Sequence, residues 1–81
     1  MNFDVEVRIG LKPGILDPEA RAIQHALANL GLATSRLSTA RLFSITIEAD
    51  DRAGAEALAR QMCERLLANP VIHRYEVEVR E

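Results

Sequence analysis

Apolar and polar residues alternate in three stretches of the chain, and this alternation limits most strongly what the chain can fold into. In the first stretch the apolar residues are Phe3, Val5, Val7, Ile9 and Leu11. The same period of two returns at Phe43, Ile45 and Ile47, and again at Tyr75, Val77 and Val79. Such a period is typical of strands with one buried face. The sequence therefore predicts a small sheet with one apolar and one charged face.

Between these stretches, apolar residues recur at helical spacing. The run Asp17-Pro18-Glu19 is typical of a helix start, with Asp as the N-cap and Pro in the first turn, and Gly31 suits the end of that helix. A second helix begins after Asp50-Asp51 and ends at Asn69-Pro70, because a residue before proline avoids the helical conformation. We therefore predict helices over about residues 18–30 and 52–68.

Residues 33–49 allow two interpretations. A single strand over this stretch would measure about 50 Å, far longer than the usual 17–20 Å. A tight hairpin near residues 38–40 would need Asn-Gly or a central glycine, and the chain has neither there. We favour one long strand with a bulge or bend near residues 38–40.

The predicted architecture is a single α+β domain over residues 1–81. It has the order β-α-β(long, bent)-α-β, with a small sheet covered on one face by two helices. A chain of 81 residues buries a small core, and its one cysteine allows no internal disulfide. A small sheet of this kind also leaves two open edges. We therefore expect the sheet to extend across a dimer.

Charge and hydropathy disfavour several classes of function. Ten basic against twelve acidic residues give a net charge of −2, whereas nucleic-acid binders usually carry a basic excess. No apolar run approaches the roughly 20 residues that span a bilayer. Nothing resembles a signal peptide, and the single cysteine suits a reducing compartment. We expect a cytoplasmic protein that binds neither nucleic acid nor membrane.

Few residues suit catalysis. His25, His73 and Cys63 are the candidates, and none has a suitable base, nucleophile or second metal ligand at the required spacing. Cys63 falls inside the second predicted helix, whereas nucleophilic cysteines usually lie at a helix N-terminus or beside a base. We predict no catalytic residue, no metal site and no cofactor on this chain.

Two segments are more constrained than a simple connection requires. In residues 11–18, two prolines and a glycine fix a loop that contains Ile15 and Leu16. Either these two side chains fold back onto the sheet, or they form a rigid apolar surface for a partner, with Lys12 as an anion contact. The other segment, residues 62–72, joins a helix end to the start of a strand.

Both segments resemble the PurS family, the small subunit of phosphoribosylformylglycinamidine (FGAM) synthase. The resemblance rests on Leu11–Pro18 with the following helix to Leu30-Gly31, and on the run from Met62-Cys63-Glu64 through Asn69-Pro70-Val71-Ile72 to Tyr75. The sequence departs from the family at Ser38-Thr39-Ala40-Arg41, where an arginine and a glycine are replaced, although Arg36 is close by. It also departs at His73-Arg74, where a more acidic pair is expected.

The resemblance implies a role in purine biosynthesis. The complex converts formylglycinamide ribonucleotide (FGAR), ATP and glutamine into FGAM, ADP, phosphate and glutamate. A glutaminase subunit (PurQ) releases ammonia, and a large synthetase subunit (PurL) binds ATP and magnesium. PurS is implied to be a non-catalytic homodimer, or a tetramer, that bridges the two and aids ammonia transfer.

For this chain we expect a partner-binding loop and two further residues that contact a partner or an anion. The loop is formed by Lys12, Pro13, Gly14, Ile15 and Leu16; the candidates for anion or acidic-partner contacts are Arg36 and Arg41. An alternative function is a dimeric ferredoxin-like domain that senses a small molecule. That alternative predicts a hairpin at residues 38–40 and a ligand loop containing glycine. A stand-alone enzyme, the third class, lacks a nucleophile with its base.

Overall fold

In a computed structural model that describes residues 1–80, the chain forms a three-stranded antiparallel sheet and two helices. The strands are β1 (Asn2–Leu11), β2 (Ala40–Glu48) and β3 (His73–Arg80), in the order β2-β1-β3. The helices are α1 (Pro18–Asn29) and α2 (Arg52–Met62), and a π-helical turn (Cys63–Leu67) prolongs α2. The predicted α+β class and the β-α-β-α-β order are confirmed.

The central strand β1 supplies most of the core. It pairs with β2 from Asn2 opposite Glu48 to Gly10 opposite Ala40, and with β3 from Asp4 opposite Arg80 to Leu11 opposite His73. Its alternating apolar side chains, at positions 3, 5, 7 and 9, are all buried on one face. A strand that has neighbours on both sides and a helix above it buries that face completely.

Helix α2 covers this face because its inward residues are small. Ala55, Ala59 and Cys63 recur every four residues and are fully buried against the sheet. Asp51 caps the helix and accepts a hydrogen bond from the Gly54 backbone N–H at 2.7 Å. The π-helical turn closes with the Ala68 N–H donating to the Cys63 carbonyl at 2.9 Å, and the helix ends before Asn69-Pro70 as predicted.

Helix α1 does not lie on the sheet, so the prediction that two helices cover one face is wrong for α1. Its buried residue, Ala20, does not belong to the core that the sheet and α2 form. The molecule is 51 Å long with a radius of gyration of 16.0 Å, whereas a compact domain of this length would have about 12 Å. An amphipathic pattern specifies that a helix face is suited to burial, but it does not specify which surface buries it.

The prediction of a long strand over residues 33–49 is wrong in its first part. Strand β2 begins at Ala40, which pairs with Gly10, and no hairpin forms at residues 38–40. The neighbouring strand ends at Leu11, so residues 33–38 have no ladder partner. They return beside α1, held in part by a Gln24–Thr34 hydrogen bond of 3.2 Å. We call residues 17–39, which comprise α1 and this returning segment, the arm.

Candidate functional site

The predicted partner-binding loop leaves the sheet at the end of β1 and is rigidly held. The Lys12 backbone N–H donates to the Ile72 carbonyl at 2.8 Å, and its Nζ donates to the Pro70 carbonyl at 2.6 Å. Gly14 has a φ of 85°, and the Ile15 N–H donates back to the Lys12 carbonyl at 3.2 Å. Ile15 and Leu16 are 41% and 63% exposed, so they do not fold back onto the sheet.

Asp17 joins the two ends of the arm. Its carboxylate accepts hydrogen bonds from the Ala20 backbone N–H at 3.0 Å and from the Thr39 hydroxyl at 2.7 Å. The Thr39 hydroxyl, and after it the Ala20 N–H, lower the pKa of the Asp17 carboxyl from its ordinary value of 3.8. The first turn of α1 and Thr39, the last residue of the arm, are thereby held at one carboxylate.

A groove with a volume of about 380 Å³ lies between the loop and the base of the arm. We call it the basic groove. It is lined by residues from the end of β1, the loop, the returning segment and the start of β3: Arg8, Gly10, Leu11, Lys12, Pro13, Gly14, Ile15, Asp17, Arg36, Leu37, Ser38, Thr39, Ala40, Arg74 and Glu76. Arg36 therefore lies beside the predicted loop.

Arg41 lies elsewhere. It shares a face of β2 with Phe43, and its guanidinium carbon is 5.2 Å from the centroid of the Phe43 ring. That is the face covered by α2, whereas Arg8, Arg74 and Glu76 belong to the opposite, charged face of the sheet. The two arginines that the sequence suggested thus lie on different surfaces.

Sequence analysis missed three residues of this region. Arg8 and Arg74 line the groove because β1 and β3 pair antiparallel, with Arg74 opposite Gly10 and Glu76 opposite Arg8. Thr39 was missed as the partner of Asp17, which is 22 residues away. The alternation of β1 and β3 placed both arginines on the charged face, but the strand register, which makes them neighbours, is set by tertiary structure.

A second surface is an apolar face of the sheet that α2 leaves uncovered. Arg52 donates to the Val79 carbonyl at 2.7 Å. Tyr75 is near enough to Arg60 to contribute, after Glu56, to raising the pKa of its guanidinium, so this flank of α2 lies over β3. The opposite flank of α2 carries Leu58 and Met62, both more than a third exposed. Beside it, Phe43 and Ile45 of β2 are only half-buried. We call the surface formed by Phe43, Ile45, Leu58 and Met62 the apolar trough.

Helix α1 presents a matching apolar stripe. Ala20 is buried and Leu27 is half-buried, but Ile23, Ala26 and Leu30 are exposed. Leu30 is 73% exposed. The helix ends at Asn29, and Gly31 follows it with a φ of 81°. The Leu32 N–H donates to the Leu27 carbonyl at 2.8 Å and closes the helix end. The arm therefore carries an ordered, capped helix whose apolar face has no partner within residues 1–80.

The titratable residues that the sequence offered as catalytic candidates have surroundings that suit a structural role. Cys63 is buried, and burial raises the pKa of its thiol, which disfavours the nucleophilic thiolate. The Nδ1 atom of His73 accepts a hydrogen bond from the Asn69 backbone N–H at 2.9 Å, and His25 is exposed on α1. In the described part of the chain, no three His, Cys, Asp or Glu side chains are grouped as metal ligands, and no helix is long and apolar enough to cross a membrane.

Comparisons with known proteins agree with this geometry. Residues 4–81 match the family model PurS, described as phosphoribosylformylglycinamidine (FGAM) synthase. The FGAM synthase subunit PurS of Methanothermobacter thermautotrophicus is 46% identical over 81 residues, which cover all of this chain and 96% of that protein. The crystal structure of Methanocaldococcus jannaschii PurS has a TM-score of 0.88 at 39% identity, over 98% of this chain and 96% of that one.

A chain in the structure of PurLQS from Thermotoga maritima has a TM-score of 0.91 at 23% identity, over 99% of both chains, and it shows the shared fold. The family match covers nearly the whole chain, and the Methanothermobacter thermautotrophicus relative is 46% identical over its nearly full length. This chain belongs to the PurS family and is the small subunit of FGAM synthase in purine biosynthesis.

Proposed function

We propose that this chain is a dimeric adaptor that joins the glutaminase PurQ to the large synthetase PurL and aids ammonia transfer between them. The observation that carries the proposal is the unpartnered apolar arm opposite an uncovered apolar trough in the same chain. A protein that leaves two such surfaces open is suited to assembly. The reaction of the complex is the conversion of FGAR, ATP and glutamine into FGAM, ADP, phosphate and glutamate.

The chemical steps belong to the larger subunits in this proposal. Release of ammonia from glutamine needs an activated nucleophile, and the Cys63 thiol is buried with a raised pKa. ATP and magnesium act at the large subunit, where the amidination of FGAR takes place. The PurS chain positions the other subunits: it holds the glutaminase, which releases ammonia, beside the synthetase, which uses it, so that ammonia is transferred before it is lost to solvent.

The homodimer forms by exchange of arms. In each protomer α2 fills one half of the sheet face, and the apolar trough is the other half. The exposed stripe of Ile23, Ala26 and Leu30 fits this trough, because a second helix beside α2 would contact Phe43 and Ile45 below and Leu58 and Met62 at its flank. Each sheet would then have two helices, one of which comes from the other chain.

The returning segment supports the expected extension of the sheet across the dimer. Residues 33–38 form no helix or strand, and none of their backbone groups bonds to another described backbone group. Strand β2 is an edge strand whose outer side is open. An exchanged arm would bring its unpaired segment toward the free edge of the other chain's β2. Further edge pairing gives a route from dimer to tetramer.

The partner subunits meet the loop in our proposal. Lys12 anchors it through its backbone N–H to Ile72 and through its Nζ to Pro70, while Ile15 and Leu16 are exposed to solvent. Arg36 lies beside the loop in the basic groove, so it contributes to the same contact. Arg41 is stacked on Phe43 at the apolar trough and therefore faces the second protomer. We place the whole assembly in the cytoplasm, with the biosynthetic enzyme to which the family belongs.

The small-molecule sensor has less support. It predicts a hairpin at residues 38–40, and that part of the chain instead leads from the arm directly into β2. The family match also favours the synthase subunit.

The proposal is tested by measuring solution mass and activity. Light scattering of the purified chain should give about twice the chain mass of 9.0 kDa. Mixed with the large synthetase and glutaminase subunits of its own organism, glutamine and nucleotide, the chain should join a larger complex and be required for glutamine-dependent FGAM formation. A stable monomer that neither joins these subunits nor alters their activity would contradict the proposal.

A further inference from the structure

The basic groove has a local charge opposite to that of the molecule. Four basic side chains line it, Arg8, Lys12, Arg36 and Arg74, against the two acidic side chains of Asp17 and Glu76. The chain as a whole has a net charge of −2. Positive charge concentrated in a concave surface with low-dielectric walls produces a local potential that attracts anions.

The two carboxylates do not neutralise the three arginines. The oxygens of Asp17 are engaged by Ala20 and Thr39. Glu76 lies opposite Arg8 in the strand register but forms no ion pair with a described residue. Other arginines of the chain do form ion pairs: Arg60 is 2.9 Å from Glu56, and Arg80 is 3.2 Å from Glu6.

Arg8, Arg36 and Arg74 thus line one groove without a carboxylate partner among residues 1–80. Lys12 is different, because its Nζ is held by the Pro70 carbonyl. Arginine presents a planar fork of donors that matches the two oxygens of a carboxylate or phosphate. Three arginines that converge from β1, β3 and the arm are therefore suited to an anionic ligand that extends over several groups.

The surroundings of the groove favour acidic peptide over a nucleotide or free phosphate. A nucleotide base would need an aromatic surface to stack on, and Phe3, Phe43 and Tyr75 belong to the other face of the sheet. The groove, at about 380 Å³, is far larger than a single phosphate. Its rim carries the exposed aliphatic side chain of Ile15, with Leu16 next to it, which suits a segment that combines carboxylates with an apolar residue.

We propose that the basic groove binds an acidic, partly apolar peptide segment of another FGAM synthase subunit. Carboxylates of that segment contact Arg8, Arg36 and Arg74, and an aliphatic side chain packs on Ile15. This inference rests on the proposed adaptor function and specifies which chemistry the partner presents. It also separates two surfaces: the apolar trough binds a second copy of this chain, and the basic groove binds a different subunit.

The test is a titration of the full chain against the purified large synthetase and, separately, the glutaminase of the same organism. Binding is measured by fluorescence anisotropy between about 50 and 300 mM NaCl, where screening changes strongly. For one of the two subunits, we expect Arg36→Ala and Arg74→Ala each to raise Kd at least about fivefold and to flatten its salt dependence. The matched control, Arg65→Ala, removes an exposed arginine outside the groove and should leave Kd unchanged.

Each other outcome overturns the inference in a distinguishable way. If the wild-type chain binds a subunit and both groove variants bind it with the same Kd and salt dependence, the groove is not the contact. If the variants lose the dimer in light scattering, the groove is an interface between copies. If inorganic phosphate at about 1–5 mM displaces the subunit more than chloride of equal ionic strength does, the groove is a free-anion site. If the wild-type chain binds neither subunit, the adaptor function itself fails.

Discussion

Asp17 is the residue on which the position of the arm depends. Its carboxylate caps α1 through Ala20 and also accepts the Thr39 hydroxyl, so it closes the arm where the arm leaves the sheet. Both bonds stabilise the ionised carboxylate, in agreement with its lowered pKa. Since α1 does not pack against the hydrophobic core, its position depends on these hydrogen bonds more than the position of a helix usually depends on its cap.

We predict that Asp17→Ala lowers the free energy of unfolding and increases hydrogen exchange in the first turn of α1. The pKa is lower in the folded state, so the contribution of this carboxylate is complete well above 3.8 and is lost as the pH falls through the folded-state pKa below that value. Urea unfolding of both proteins from pH 6 downward should show their difference shrinking in this acid range. A difference that stays constant at all pH values would contradict the ionic role of Asp17.

Replacement of Cys63 tests the non-catalytic role of the chain. Cys63→Ala should preserve the glutamine-dependent activity of the reconstituted complex, because the thiol is buried and its pKa is raised. Cys63→Ser should destabilise the fold by about 1–3 kcal/mol in urea unfolding, since it buries a hydroxyl in an apolar site. Loss of activity in a well-folded Cys63→Ala protein would mean that the thiol takes part in the chemistry.

Ile15 tests the loop independently of the arginines. Ile15→Asp places a charge on the rigid, exposed turn and should weaken binding to the partner subunits by about tenfold or more, because an apolar contact is lost and a charge is desolvated. Ile15→Val is the matched control and should bind nearly as the wild type does. The dimer mass should be unchanged for both variants. Normal complex assembly with Ile15→Asp would exclude the loop from the interface.

Among the secondary-structure elements, α1 is the one on which the proposed dimer depends. Ile23→Asp should convert the dimer into a monomer, because each of two arms loses about 1.5–3 kcal/mol of apolar burial and gains a charge at the apolar trough. That loss corresponds to a rise in the dimer Kd of at least about 100-fold. His25→Asp places the same charge on a different side of α1 and should leave the dimer intact. Sedimentation equilibrium of both variants provides the measurement.

The elements themselves were largely predictable, and their packing was not. Alternation at Phe3–Ile9 and at Tyr75–Val79 identifies strands because each has one face on the core. Asp17, Gly31 and Asp51 mark helix ends through local hydrogen bonds that need no tertiary contact. The local sequence does not distinguish a paired strand from an unpaired connecting segment, however, so residues 33–38 were assigned to β2. Similarly, the spacing of Ile23, Leu27 and Leu30 indicates an apolar face without indicating its partner.

At the scale of the whole molecule, stability should depend on protein concentration. If each apolar trough is filled by the arm of a second chain, unfolding is coupled to dissociation and dilution favours the unfolded chain. The melting temperature should therefore rise with concentration, and this dependence should vanish in Ile23→Asp. A wild-type melting temperature that is constant over a 100-fold dilution would show that the described fold is stable as a monomer.

The sequence predicted only those parts of the candidate site whose residues are close together along the chain. The loop of residues 12–16 was found because proline and glycine restrict its backbone, and Arg36 was found by its place near the family's central motif. Arg8 and Arg74 come from β1 and β3, and their proximity depends on a register that pairs residues more than 60 positions apart. A single sequence carries no direct record of such long-range pairing.

If the arms are exchanged as we propose, folding has a kinetic consequence. A chain whose sheet is completed by another chain's helix cannot finish folding alone, so its last folding step must be a second-order encounter. Refolding should then slow as the concentration falls, with a first-order phase for the sheet and α2 and a concentration-dependent phase for the docking of α1. In a cell, newly made chains would complete folding at a rate that depends on the concentration of other copies of the chain. The supply of folded subunits would therefore depend on the rate of their own synthesis.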